Sequence, residues 1–535
     1  MEQSININPT HLFLREVGKF SKLIIDLEEG SNKLSPFVGQ PCSIDGFKKK
    51  IAERRQFPIN RDLLVKSLQS QYQGFEDRHA VQANILSLAD ENTFTVTTGH
   101  QLNIFTGPLY FHYKILSSIK LAEQLSVQFP ECKFVPIYWM NSEDHDLEEI
   151  GQMNLFGTKY RWETEQTGAT GRMSTAGLSE LADTLDEKLR SPDAKELLAS
   201  IKNAYESSDN LTDATRSFIH QLYGDQGLVI IDSDDAKLKA SFQSIVTSEL
   251  VDQVLQKPIQ ETSDKLKSVG YNAQVNPRLI NFFYLNENGR NLIEFDGNQY
   301  SVKNTDISFS KDEMLEQVRS HPDSISYNVV SRPLFQEFIL PNLAYIGGGG
   351  ELAYWLQYKE MFQQMEVSFP VLVLRDSFLM IDAKSAKIMD ENKVSTKDLF
   401  QNEELLINSI VQNSNTDELD VSKELDQLNS FYDQLSAKAE ALDKGLKSGV
   451  EAERTKQTKL LENWESKFRK SIKQQSESRL KRVRKMHQQL FPNEGLQERS
   501  MNVLEAIERF GPDFLKQTKA QEEPLSTNKF AVVRF

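Results

Sequence analysis

Apolar and polar positions alternate along this chain with two different periods, and the changes of period mark its elements. Residues 93–97, TFTVT, are β-favouring residues in an unbroken run, and Ile115, Leu116, Ile119 and Leu121 then recur at helical spacing. The pattern predicts a buried strand, a turn holding Gly99 and Gly107-Pro108, and the start of a helix. Further runs of strand length follow at residues 134–140 (FVPIYWM), 228–231, 343–346 and 371–374 (VLVL). Residues 20–27 and 61–68 read as amphipathic helices of a lead-in, and 155–227 as a polar, helical insertion between core strands. Around Asn286-Glu287-Asn288-Gly289, alternation over residues 281–300 predicts a hairpin. Strands alternating with helices imply an α/β class, with a mostly parallel sheet covered on both faces.

In such sheets ligands bind beyond the carboxyl ends of the strands, and the polar clusters of this chain fall there. Asn141-Ser142-Glu143-Asp144-His145-Asp146 ends the second run and Asp232-Ser233-Asp234-Asp235 the third. Gly347-Gly348-Gly349-Gly350 follows the fourth, ahead of a helical run that opens with Glu351 and includes Trp355, and Arg375-Asp376-Ser377 ends the fifth.

The last third changes character. Leu425, Leu428, Tyr432, Leu435, Ala439, Leu442 and Leu446 keep 3,4 spacing, the seam of a coiled coil, and Gly445 and Gly449 interrupt it. Periodicity resumes with Leu461, Trp464, Phe468 and Ile472, then Leu480, Val483 and Leu490, until Phe491-Pro492 stops it. Two long helices joined by a glycine-containing turn predict an antiparallel hairpin. Its charges agree: Asp417, Glu418, Asp420, Glu424 and Asp426 open the first helix, whereas residues 467–485 hold nine basic residues against Glu477 alone. Folding back would set the two stretches side by side, so the basic run reads as a charge-pairing face rather than a nucleic-acid surface. Residues 529–535, KFAVVRF, predict a strand returning to the core.

At 535 residues with a formal charge of −15, the chain is large enough for several folding units and too acidic to favour nucleic acid or an anionic membrane. Its two cysteines, Cys42 and Cys132, make no CxxC pair or disulfide framework. The opening residues lack a basic region followed by an apolar run, and no stretch of about 18 apolar residues occurs. The expectation is a cytoplasmic protein.

Three carboxylates and an imidazole within Glu143–Asp146 suit recognition of an ammonium group or sugar hydroxyls, with Asp144 and His145 placed for proton transfer. A solvated acidic turn capping the next helix would have the same composition, and metal binding with His100 or His112 is disfavoured because no HxxxH or HxH pair fixes ligand geometry. Glycines 347–350 could bring backbone N–H groups to a ligand or merely make a tight turn. They are not a P-loop, since the GxxxxGK[ST] order is missing. Arg332, in Asn328-Val329-Val330-Ser331-Arg332-Pro333, could hold a carboxylate bidentately or form a surface ion pair.

Taken together and in order, TGHQLNIFTGPLY, PIYWMNSEDHD, NVVSRPLFQEFILPNLAYIGGGGELAYW and VLVLRDSF resemble the BshC family, the cysteine-adding enzymes of bacillithiol biosynthesis. The resemblance implies a Rossmann-like core related to class I aminoacyl-tRNA synthetases, connecting-peptide insertions, and a C-terminal antiparallel α-helical coiled coil that dimerises. It implies a ligase that joins cysteine to glucosaminyl malate through an amide, the last step of the pathway. Carried onto this sequence, it places Gly99, His100, Gln101, Thr106, Gly107 and Tyr110 in a first nucleotide-type loop and Glu143 to Asp146 at the second strand end. Arg332, Gly348, Gly349, Gly350, Glu351 and Trp355 fall in its most recognisable block. The chain departs from the family pattern at His100, where glutamine is usual, and shows neither HIGH nor KMSKS. ATP is the natural activating cofactor, although no site for it is displayed. The implied organisation is a core over residues 1–154 and 228–385, a helical insertion over 155–227, a coiled coil over 386–505, and a returning segment over 506–535. An amino-acid-activating enzyme with another acceptor, or a non-catalytic coiled-coil scaffold, are the alternatives.

Overall fold

A computed structural model describes residues 9–76, 78–287, 289–414 and 421–535. Asn288 of the expected hairpin turn and Asp417, Glu418 and Asp420 of the expected acidic helix start lie outside the described residues, as do the side chains of Arg469, Ile472 and Lys473. The chain forms two compact units, Met1–Leu379 with Leu496–Val533, and Met380–Gly495 with Arg534–Phe535.

The first unit is built on five parallel strands, β1 (Thr93–His100), β2 (Lys133–Met140), β3 (Val229–Asp232), β4 (Asn342–Gly347) and β5 (Val371–Leu374). Their spatial order is 5-4-1-2-3, the order of a Rossmann half-sheet, and the direction of winding reverses between β1 and β4. Every residue of β1 is buried, as expected of a strand with neighbours on both sides and helices on both faces. Phe94, Val96, Phe134, Ile346 and Val371 pack with Phe47, Leu121 and Leu125 from the covering helices.

Thr95, Thr97 and Thr98 of β1 bring hydroxyls into this core, and each finds a partner, Thr98 donating to the carbonyl of Ile346. Thr95 and Thr97 donate to Asn342 Oδ1 at 3.0 and 2.8 Å, where the β1–β4 register shifts. Asn342 in turn donates to Glu337 Oε1 at 2.7 Å, and Gln336 donates to the same oxygen at 2.8 Å. Unpaired, such groups would each cost about 1–3 kcal/mol.

Between β2 and β3 the chain inserts a hairpin, Gln152–Leu155 with Thr158–Arg161, and three helices, Leu178–Asp186, Pro192–Glu206 and Leu211–Tyr223. The helical insertion of the sequence reading therefore starts with β structure. Ser191 and Asn210 cap the second and third helices, and Pro192 occupies the first turn of the second. Between β3 and β4 lie further helices and a five-stranded antiparallel sheet, in which Phe282–Asn286 and Gly289–Phe295 form the expected hairpin and Ile325–Tyr327 pairs with its outer side. The hairpin is thus part of a larger sheet, whose three further strands are too short to show as alternation in sequence. Near the C-terminus, Lys529–Arg534 pairs antiparallel with Thr10–Phe13 rather than joining the parallel sheet.

In the second unit, Ser422–Leu442 and Lys444–Leu490 pack antiparallel, with Lys447 on Glu440, Glu451 on Ser436, and Arg454 on Asn429 and Asp433. The break falls at Asp443, not at the glycines. Asp443 is extended and caps the long helix by accepting from Gly445 N at 2.7 Å, so Gly445 and Gly449 sit inside its first turns. The basic run finds acids on shorter helices: Arg482 meets Glu391, and Arg484 meets Glu403 and Glu404.

Burial pushes the Glu337 carboxyl up to about 7, only partly opposed by its hydrogen bonds from Gln336 and Asn342. Because the fold holds this proton more tightly than the unfolded chain does, the stability it contributes is complete below the ordinary glutamate value of 4.5 and is lost as pH rises through about 7. Glu28 and Glu249 are raised to about 7 in the same way, so the contrast with a variant isolates Glu337. Urea unfolding of Glu337→Gln should lose less stability than the parent between pH 4.5 and 7, by roughly 3 kcal/mol. Parallel curves for the two proteins would contradict it.

Candidate active site

The carboxyl ends of β1, β2 and β4 open onto one cavity of about 640 Å³, within the range of small-molecule sites. Of the residues singled out from sequence, His100, Gln101, Glu143, Asp144, Arg332 and Glu351 line it. The inserted sheet and the segments around it add Arg278, Phe283, Arg290, Tyr327 and Asn328 to the wall. The cavity lies at the reversal between β1 and β4, where an open α/β sheet leaves a crevice.

Its floor is an ion pair. Lys114, on the helix Tyr110–Gln128, is only 1% exposed, and its Nζ donates to Glu351 Oε1 and Oε2 at 2.7 and 3.0 Å and to the carbonyl of Gly99. Burial lowers the Lys114 pKa, and Glu351 offsets part of that. Glu351 Oε2 also accepts from Gly348 N at 3.1 Å and from Tyr345 Oη at 3.4 Å. The first N–H of the glycine turn is therefore used inside the protein. Gly349 packs on Ile24, and with Gly350 it faces a separate cavity of about 460 Å³. Trp355 is fully buried against Tyr345 and Phe362, in the core rather than in the cavity.

The β2 end divides its acids. Glu143 is buried and accepts from Lys239 at 2.5 Å; Lys239 also reaches Asp234 at 3.0 Å, and Asp234 takes Arg172 at 2.6 and 2.9 Å. Burial pulls Lys239 down, but the two carboxylates outweigh it and hold its pKa above the usual lysine value. Asp144 accepts from Gln101 at 2.7 Å and from His145 N at 2.8 Å. Burial alone would raise it, yet the His145 side chain first, then Gln101, Arg290 and the His145 backbone, hold its carboxyl well below the usual range. Asp146 caps the short helix Leu147–Ile150 through Glu149 N; neither it nor His145 lines the cavity, and His145, its side chain 45% exposed, sits beside the lining residues Arg290 and Phe283.

The turn after β1 is strained. Phe105 and Thr106 have φ of +48° and +68°, and Gly107 at +62° leaves no room for a side chain, since a Cβ would stand 2.8 Å from Asn103 Cβ. Distant residues hold it: Phe105 N donates to Tyr205 Oη, Asn502 donates to the carbonyls of Phe105 and Gly107, and Thr106 meets His112. His112 is wholly buried between Thr106 and Tyr223, and burial pushes its pKa down to about 3. Tyr110 packs edge-on against His100 and under Arg375. Thr106, Gly107 and Tyr110 thus shape the turn without lining the main cavity, and Gly99 contributes its carbonyl to Lys114.

The model of the family described as "Bacillithiol biosynthesis BshC, N-terminal Rossmann-like domain" matches residues 7–376, and that of "Bacillithiol biosynthesis BshC, C-terminal coiled-coil domain" matches residues 378–535. The chain belongs to the BshC family. Relatives from Flavobacterium johnsoniae, Flavobacterium psychrophilum and Christiangramia forsetii are 43%, 40% and 40% identical to it. The matches cover 96%, 97% and 97% of this chain and 97%, 98% and 98% of theirs, and all three carry the name "Putative cysteine ligase BshC". A solved structure from Campylobacter jejuni, whose title names an arginyl-tRNA synthetase, aligns at 11% identity over 83% of this chain and 98% of that one. Its TM-score is 0.24, too low for any argument about kinship.

Within this BshC-family chain, sequence reasoning missed Lys114, Lys239 and Arg290. Lys114 left one signal, a cation inside the apolar run that ends β1's helix entry. Lys239 left none: Asp234 lies five positions before it at the end of β3, but Glu143 comes from the end of β2, 96 positions away. Among the described residues, no group of three or more His, Cys, Asp or Glu is arranged to hold a metal ion. Lys114→Met should destabilise the protein by about 2 kcal/mol in urea unfolding, at the lower end for a broken buried pair because Glu351 is 29% exposed. Adding Glu351→Gln should recover part of that loss; strict additivity in the double-mutant cycle would show that the pair is not coupled.

Proposed function

We propose that this chain is a ligase that forms the amide between the carboxyl of cysteine and the amine of glucosaminyl malate, completing bacillithiol. The family membership and the names of its relatives support the reading, and the observation that carries it is the single cavity at the β1–β4 reversal, lined by both cations and carboxylates. Both substrates carry carboxylates and an amine, and such a wall can hold each. Arg332 and Arg278 suit the malyl carboxylates, bidentate pairing being the particular strength of a guanidinium. Glu351, fixed by Lys114 and flanked by Tyr345 and Tyr354, suits an ammonium group. Both Glu143 and Asp144 line the cavity, but Glu143 is paired with Lys239, which leaves Asp144 as the carboxylate of that loop not held by a lysine.

Amide formation in water is uphill without coupling, so the cysteine carboxyl must be activated, and ATP is the natural agent. Purified protein given cysteine and glucosaminyl malate should yield bacillithiol with ATP and none without it. If no condition gives product, direct catalysis by this chain is refuted. Arg332→Met should raise KM for glucosaminyl malate by at least about 10-fold, the weight of one charge-assisted contact.

The protein is proposed to work as a homodimer through its long helices. Leu460, Trp464 and Phe468 recur every four residues of Lys444–Leu490 and are 51%, 49% and 44% exposed, an apolar stripe unlike the surface of a solitary helix. Trp464→Glu should convert a dimer to a monomer in size-exclusion chromatography with light scattering. An unchanged mass would place the contact elsewhere.

A further inference from the structure

One hydrogen bond at the cavity rim can run in a single direction, and it fixes where a proton sits. Arg290 belongs to the strand Gly289–Phe295 of the inserted sheet and lies over the ring of Phe283, 4.1 Å from its centre. Its Nε donates to Ser326 Oγ at 2.7 Å and its Nη2 to the carbonyl of Tyr327 at 2.7 Å. The remaining Nη1 stands 3.0 Å from His145 Nδ1. A guanidinium has five N–H donors and nothing that accepts, so His145 Nδ1 must be the acceptor. An imidazole that accepts at Nδ1 is neutral and carries its hydrogen on Nε2.

That arrangement leaves His145 without a lone pair for a ligand. The nitrogen able to take a proton is already engaged by a cation held in place at three other points. Asp144 lies close enough to act on the imidazole, but its Oδ1 is 3.7 Å from Nδ1, farther than the 3.0 Å of Arg290 Nη1, and its oxygens take Gln101 and the backbone of His145. Beside the imidazole, Asp144, Phe283 and Arg290 all line the cavity, and the His145 ring lies 5.7 Å from Phe283.

We propose that His145 serves the bound ligand as a hydrogen-bond donor through Nε2–H, to a carboxylate or acyl oxygen, with Arg290 as the positioning residue that sets its tautomer. This rests on the ligase reading and deepens it: of the two residues expected to move protons, His145 acts as an electrophilic contact rather than a base. A neutral imidazole donor, preset beside a fixed guanidinium, is the kind of group that stabilises charge developing on an oxygen without reorganising.

Two substitutions separate donor from base. Glutamine places an amide N–H near the position of Nε2 and cannot act as a base at neutral pH, whereas alanine supplies neither. With cysteine, glucosaminyl malate and ATP, His145→Gln should keep activity within about 5-fold of the parent while His145→Ala loses about 100-fold in kcat. Equal loss in both variants, or no loss in His145→Ala, overturns the proposal. A parent protein without activity refutes the ligase reading instead, and a second measurement then still decides the tautomer. In protein labelled with 15N-histidine, long-range 15N–1H correlations, with the resonance assigned through His145→Gln, should show His145 protonated at Nε2. In Arg290→Met that preference should relax toward a mixture of tautomers. A proton on Nδ1 in the parent, or an unaltered pattern in Arg290→Met, contradicts the role given to Arg290.

Discussion

The pair of Lys114 and Glu351 spans the place where the winding of the sheet reverses, and the candidate site is assembled around it. Lys114 follows β1 and Glu351 follows β4, so their contact closes the crevice from below and fixes the spacing of the two strand ends. Both sides are needed. A buried ammonium without its carboxylate would be strongly disfavoured, and the glycine turn would lose the acceptor that caps its first N–H. The same carboxylate is 29% exposed, so one group serves both the fold and the cavity. A site with such a floor is preorganised, because its charges are oriented before any ligand arrives.

The turn that links β1 to Lys114 shows how this order is enforced over distance. Two consecutive non-glycine residues with positive φ would not hold that shape alone. Tyr205 comes from the first insertion and Asn502 from the segment that returns after the coiled-coil residues, and both bond its backbone. Arg375, at the end of β5, is likewise held by Glu498 at 2.5 Å. Residues close to the C-terminus are therefore part of the frame of the cavity, although none of them lines the main one.

How much of this was legible follows from the range of the interactions. The VLVL run matches β5 residue for residue, because a strand buried on both faces is continuously apolar. β1 runs on to His100, beyond the TFTVT pattern, because Gly99 and His100 still pair with Trp139 and Met140; pairing across a sheet leaves no local mark. The polar strand ends were visible as a class, and Glu143, Asp144 and Glu351 from them meet in one cavity with His100, Gln101 and Arg332. Which of those acids faces solvent space was not visible. Glu143 and Asp144 are neighbours in sequence and both line the cavity, yet only Glu143 is bound to a buried lysine, Lys239. Lys114 and Glu351 stand 237 positions apart, and nothing in either neighbourhood announces the other. The coiled coil was readable from its spacing, whereas its break was not, since Asp443 as a cap and glycine as a turn are equally good local signals.

Topology also explains why insertions crown the site. β3 lies at one edge of the sheet and β4 on the far side of β1, so the chain between them must pass both β2 and β1. Part of what is inserted in that crossing lines the cavity. The helices and the antiparallel sheet placed there supply Arg278, Arg290 and Asn328, while the parallel strands and their helices supply Lys114, Asp144 and Glu351. The core thus provides acids and a buried lysine from below, and the crossover provides guanidinium groups from above. Substitutions in the inserted sheet can then alter what the cavity recognises while the ion pair beneath it, and with it the fold, stays as it is.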